Sequence, residues 1–194
     1  MTALLAVSPE SEWVGEADLI QDLLDHGLER YHLRKPAWSE QQVAGLLSQL
    51  QQESLTRISI HQHPQLCQHF PVGLHLKDNS AYEFRKRVSR GPVSRSLHTI
   101  EAIEGAGEAL DYCFLSPVFP SLSKTGYVPA WSREELCKRL STGRTTALYA
   151  LGGIGADNFQ EALDLGFDGV VLHGILWQSD DPLRVLSLMT KVAL

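Results

Sequence analysis

Cysteine is scarce in this chain: Cys67, Cys113 and Cys137 are the three among 194 residues. They are too few and too scattered for a disulfide framework or a cysteine-based zinc site, so reduced thiols and a cytoplasmic setting are expected. Long hydrophobic runs are missing as well, and no segment approaches a membrane span. The opening stretch Met1-Thr2-Ala3-Leu4-Leu5-Ala6-Val7 lacks a basic n-region and runs straight into a turn. It reads as a strand, not a signal peptide. Basic charge is thin: 17 Lys and Arg against 23 Asp and Glu leave a net charge of −6. That balance argues against nucleic acid or an acidic membrane as partner. The densest basic stretch, Phe84-Arg85-Lys86-Arg87 with Arg90, reads as a solvated helix face. A glycine-rich dinucleotide fingerprint is absent too, since Ser8-Pro9-Glu10 stands where it would follow the first strand.

What is present is a regular alternation. Short apolar runs at Ala3–Val7, Arg30–Leu33, Arg57–His61, Val72–Leu76, Pro92–Leu97, Tyr112–Ser116, Ala147–Leu151 and Gly169–His173 predict eight strands. Helix-period segments lie between them, for example Ile20, Leu23, Leu24 and Leu28, then Val43, Leu46, Leu47 and Leu50. Ser39…Gln42, Ser132…Glu135 and Asp157…Gln160 have capping-box spacing, and Gly27 and Gly166 sit where helices should stop. The connection Pro64–Phe70 has room for a single turn only. Eight strand–helix units without a strand-only block predict one α/β domain over residues 1–194, a (β/α)8 TIM barrel, with an open doubly wound sheet as the alternative.

In such a barrel the ligand binds at the C-terminal strand ends, and here those ends are polar. Arg34 and Lys35 follow strand two, His61 and His63 strand three, and Asp78 follows strand four, which itself carries His75. Strand five presents Ser94, Ser96 and His98 on one face by alternation. Arg34, Lys35, His61, His75 and Ser96 are therefore candidates to line a substrate. Gly152 and Gly153 after strand seven, with Gly174 after strand eight, suit a phosphate: its oxygens need converging backbone N–H groups that side chains would block.

These pieces together resemble the thiamine phosphate synthase/TenI superfamily. Tyr31-His32-Leu33-Arg34-Lys35, Gly73-Leu74-His75-Leu76, Ser96-Leu97-His98-Thr99, Asp111-Tyr112 through Lys124, Leu151-Gly152-Gly153-Ile154 with Asn158, and Gly166-Phe167-Asp168-Gly169-Val170 match its motifs in order. The resemblance implies a small phosphorylated thiazole ligand, with its phosphate on Gly152, Gly153 and Gly174. It places Ser121 and Ser123 in the phosphate-side loop and gives Lys124 a catalytic role facing pyrophosphate.

Two reactions are implied. A TenI-like thiazole tautomerase needs no cofactor and moves a proton between ring positions, the task assigned by resemblance to His98. A synthase joins hydroxymethylpyrimidine diphosphate to the thiazole phosphate and needs Mg²⁺ on the leaving group. Here Ser80 stands where the metal-binding aspartate belongs, Asp78 is displaced by two residues, and His61-Gln62-His63 replaces the Asn-Asp segment. These departures fall on the pyrimidine half, so the expected order is tautomerase first and synthase second. A transition metal on His61, His63, His75 and His98 is a third reading, and a noncatalytic sensor of thiazole or thiamine phosphate a fourth. Trp13, Trp38, Trp131 and Trp177 are read as barrel caps or packing, with a homodimer interface as the other use.

Overall fold

All eight expected strands form in the computed structural model, which describes residues 2–78, 89–105, 110–120 and 131–192. The chain runs through β1 (Ala3–Val7), α1 (Glu16–Asp25), β2 (Arg30–Leu33), α2 (Glu40–Leu47), α3 (Gln52–Leu55) and β3 (Ile58–Ile60). A 3₁₀ turn at Pro64–Gln68 leads to β4 (Gly73–Leu76), β5 (Val93–Leu97), α4 (Ala102–Gly105) and β6 (Tyr112–Leu115). Then come α5 (Arg133–Leu140), β7 (Ala147–Leu151), α6 (Phe159–Asp164), β8 (Gly169–Leu172), α7 (Gly174–Trp177) and α8 (Pro182–Val192). The strands pair in chain order, all parallel, and β8 returns to β1 to close the barrel. Closure decides between the two expected architectures in favour of the TIM barrel.

Local chemistry explains the helix ends. Ser39 and Ser132 both form the reciprocal capping box, with Gln42 and Glu135. The box expected at Asp157…Gln160 does not form. Helix α6 starts one residue later, at Phe159, because the Asn158 side chain is used on the preceding turn: it accepts the Gly155 N–H at 2.8 Å and donates to the Gly153 carbonyl at 2.8 Å.

Strand alternation sorts the apolar residues into two bodies. The larger lies between strands and helices and includes Tyr31, Leu33, Ile58, Ile60, Leu74 and Leu97. The smaller fills the barrel: Ala3, Leu5, Val7, Tyr112, Phe114, Tyr149 and Val171. The same phase turns Arg30, His32, Ser59, His61, His75, Ser94 and Ser96 inward from β2 to β5. One side of the interior is thus apolar and aromatic, the other is imidazole and hydroxyl. Barrels of this type are usually filled with branched aliphatic side chains, so the polar side is a departure that points to chemistry.

Lys35 has a different fate from the one expected of a substrate-lining residue. Its side chain is fully buried, with Nζ 2.7 Å from Glu16 Oε2, and it donates to the Ser11 carbonyl at 2.6 Å. The other Glu16 oxygen accepts the Tyr31 hydroxyl at 2.9 Å, and the Lys35 ammonium also stands 5.0 Å from the centre of the Trp38 ring. Tyr31 belongs to the outer body, so this ion pair lies between the barrel and α1. An ammonium ion held this way is not available to a ligand. Lys35 is a structural residue.

Removing one partner of a buried pair leaves the other charge uncompensated, at a cost of roughly 3–5 kcal/mol. Lys35→Met is expected to lose about that much in urea unfolding, whereas Glu16→Gln/Lys35→Met, which removes both charges and keeps an acceptor for Tyr31, recovers most of it. A single variant as stable as the parent would contradict this account.

Candidate active site at the barrel mouth

The polar side of the interior is one connected network. His32 comes from β2, His75 from β4, and His61 lies one residue past β3; continuing the Ile60–Leu74 register by one step puts His61 beside His75. The His61 and His75 rings stack at 4.2 Å, and His32 meets them edge-on at 5.2 and 5.0 Å. His32 Nδ1 and His61 Nε2 share a hydrogen bond of 3.0 Å. The Tyr112 hydroxyl stands 2.8 Å from His32 Nε2 and 3.1 Å from Ser59 Oγ. His75 is held at both nitrogens, Nδ1 by Ser94 Oγ and Nε2 by Ser96 Oγ, each at 2.8 Å. Phe114 closes one wall, 4.6 Å from His32 and 4.7 Å from His75 between ring centres.

Burial sets the charge state. Desolvation, reinforced by the neighbouring imidazoles and cationic side chains, pushes His32 and His61 well below the usual histidine range. Desolvation and then Arg34 bring His75 down to about 3. Burial also raises the Tyr112 phenol. At neutral pH the network is therefore three neutral imidazoles with a protonated phenol.

Among the described residues, one nitrogen from each of His32, His61 and His75 lies within 4.8 Å of the others, a grouping that can hold a metal ion. The expected quartet is corrected on two members. His63 has φ +55° and its Nε2 reaches the Trp38 carbonyl at 2.9 Å, away from the network. His98 is exposed at the rim, its Nδ1 bound to the Ser116 carbonyl at 2.9 Å. His32 is a member that the sequence reading lacks, although its signal is there: alternation in β2 that buries Tyr31 and Leu33 on the outside must send His32 inward.

The rim has two further features. A carbonyl can only accept, so His98 carries its hydrogen on Nδ1 and turns a basic Nε2 outward when neutral. It lines a cleft of about 280 Å³ with Thr99, Glu101, Trp131 and Glu135. Arg34 pairs with Glu10 at the edge of the mouth, and its backbone N–H donates to Ser8 Oγ at 2.8 Å.

Across the barrel, Gly152 and Gly153 turn with φ of +93° and +69°. A Cβ on Gly153 would stand 2.4 Å from the Pro120 carbonyl oxygen, so packing against the β6 exit already requires glycine there. The β6 exit is tied to this turn by Val118 N–H to the Leu151 carbonyl and Phe119 N–H to the Gly152 carbonyl, at 3.0 and 3.1 Å. Two steps past the Leu151–Val171 pairing, Gly153 comes alongside His173, and Gly174 opens the short helix α7. The three glycines thus share one rim. Ser121, Ser123 and Lys124 lie outside the described residues, as does Ser80; Asp78 is described and half-exposed.

Each of the three clustered imidazoles stays neutral in the fold but takes a proton in the unfolded chain below about pH 6.5. Their contribution is complete above that pH and is lost as pH falls, for His75 down to about 3. With a chelator present, unfolding free energy should decline from pH 7 to pH 5, and His75→Gln should make the slope shallower by an amount that approaches about 1.4 kcal/mol per pH unit towards pH 5. An unchanged slope in that variant, read by urea titration, would show His75 to be charged in the fold.

A family model described as thiamine monophosphate synthase matches residues 4–175. The chain is 34% identical over 105 residues to the thiamine-phosphate synthase of Albidiferax ferrireducens, a match that spans 52% of this chain but only 48% of that protein. It is 27% identical over 194 residues to the thiamine-phosphate synthase of Thermus thermophilus, covering 93% of this chain and 91% of the other. A solved structure of thiamine phosphate pyrophosphorylase from Bacteroides thetaiotaomicron superposes with a TM-score of 0.83 at 28% identity, over 100% of this chain and 98% of that one.

Proposed function

We propose, because the chain belongs to the thiamine monophosphate synthase family, that its barrel mouth binds a phosphorylated thiazole and that its reaction is the coupling for which its relatives are named. The observation that carries the binding half is the meeting of the Gly152–Gly153 turn and the Gly174 helix start on one rim. Helix-start N–H groups and a positive dipole end favour an anion. The names of the relatives favour coupling over isomerisation, which reverses the order expected from the sequence.

The second substrate of the coupling is a diphosphate, and on its side the donor set is unlike a Mg²⁺ site. The ends of β2 to β5 bring a guanidinium at Arg34, imidazoles at His61 and His75, and a carboxylate at Asp78. Mg²⁺ takes oxygen ligands in octahedral geometry, and imidazole is a poor substitute. These residues do not fit Mg²⁺. What they supply for a leaving anion is the Arg34 guanidinium, which an anion must share with or take from Glu10, together with neutral imidazole donors.

One observation favours the thiazole tautomerase as a second reading. His98 offers Nε2 with its tautomer fixed by the Ser116 carbonyl, the arrangement a proton carrier needs. Isomerisation uses the same phosphate rim and requires neither a diphosphate nor a metal.

Purified protein should form thiamine phosphate from thiazole phosphate and hydroxymethylpyrimidine diphosphate, assayed with and without added Mg²⁺. Silence there, with isomerisation of the thiazole tautomer alone, would move the assignment to the second reading. In that case His98→Ala should lower the rate by roughly 100-fold or more and leave thiazole phosphate affinity nearly unchanged. Failure of thiazole phosphate to bind would end both.

A further inference from the structure

We infer that His32, His61 and His75 form a binding site for a divalent transition-metal ion such as Zn²⁺, with a coordination position open towards the barrel mouth. This does not rest on the thiamine assignment. The three imidazoles come from three adjacent strands, and their nitrogens already converge to within 4.8 Å. Tetrahedral Zn²⁺ with Zn–N bonds of about 2.0–2.1 Å places ligand nitrogens about 3.3 Å apart. The His32 Nδ1 to His61 Nε2 separation is 3.0 Å, already close to that spacing, and an ion would replace the hydrogen the two nitrogens share as the rings tilt towards it. The third nitrogen, from His75, lies within 4.8 Å of the other two.

The surroundings are those a histidine metal site requires. A ligating imidazole has its other nitrogen held by an acceptor that fixes tautomer and orientation. Tyr112 Oη holds His32 at Nε2, which leaves Nδ1 for the metal. Ser94 Oγ holds His75 at Nδ1, which leaves Nε2, where Ser96 Oγ gives way. Phe114 packs against both rings and shields the site from water on its inner side. His32 and His75 are buried while His61 is half-exposed, so access and the open position are on the His61 side. Three neutral ligands leave the ion its full double charge, which favours water, hydroxide or the oxygen of a small anion in the fourth place. Imidazole selects Zn²⁺, Co²⁺ or Ni²⁺ over Mg²⁺ or Ca²⁺.

The test uses untagged, full-length protein stripped with a chelator, then titrated with Zn²⁺ calorimetrically and with Co²⁺ by visible absorption. One equivalent per chain is expected, with Co²⁺ bands of a four- or five-coordinate nitrogen site. His61→Ala should weaken Zn²⁺ binding by roughly 100-fold, Tyr112→Phe by about tenfold, and exposed His69→Ala not at all. Should the variants fail to fold, ¹⁵N imidazole spectra of the unaltered chain answer the same question, since Zn²⁺ must shift three histidines, assigned as His32, His61 and His75. Binding well below one equivalent in folded parent protein, binding undiminished in His61→Ala, or shifts confined to other histidines would each overturn the site and leave a purely hydrogen-bonded imidazole network.

Discussion

Closure of the parallel barrel is the constraint on which everything else depends. Once β8 pairs with β1, every second residue of eight strands is committed to a space with no way out except the two ends. An apolar residue there needs only volume. A polar residue needs a partner for each donor and acceptor, because an unmet group in that space costs about 1–3 kcal/mol. The inward-facing histidines of β2 to β4 meet that demand with one another, with the β5 serines and with Tyr112 of β6: phenol to imidazole, imidazole to imidazole, imidazole to hydroxyl.

The chain buries polar groups in two ways, and the contrast separates structure from chemistry. Outside the barrel, Glu16 and Lys35 cancel each other's charge and engage Tyr31 and the Ser11 carbonyl. Inside, the three histidines remain uncharged, and their lone pairs are satisfied by hydroxyl rotors and one another. Such partners can turn away at little cost when a better ligand for the nitrogen arrives. A buried ion pair is a finished bond; a buried neutral imidazole group keeps an unspent capacity.

Much of the fold is legible in the sequence because the strand signal in a parallel barrel is short and apolar, and turn chemistry brackets it. Each predicted strand ends within one residue of its observed limit, the difference being the terminal residues that no longer pair. The site is legible only where strand phase alone decides direction. Ser96 and His75 fall on the inward face as alternation requires. Lys35 departs from expectation because it lies past the end of β2, where phase no longer holds, and only the carboxylate of Glu16 at the start of α1 explains its burial. His63 departs for the same reason: the chain after β3 leaves the extended conformation, with His63 at positive φ. His32 differs from both, since its inward phase is fixed by β2 itself; it sits inside a matched motif in which the basic residues beyond the strand carry the stronger chemical signal.

The glycine rim and the imidazole side divide the mouth between them, and the division bears on how such a barrel changes its chemistry. Gly152 and Gly153 are required twice, by their positive φ and by the backbone of the β6 exit pressed against them. A change there would disturb the closure of β6 on β7 whether or not an anion binds, so this half of the mouth is constrained by folding itself. The β2 to β5 side carries no such double constraint. Its inward imidazoles and hydroxyls answer to one another through side chains, so a carboxylate set can be exchanged for an imidazole set if the hydroxyl partners change with it. Divergence is therefore expected to collect on that side, the side on which the sequence reading puts His61 to His63 and the stretch around Asp78.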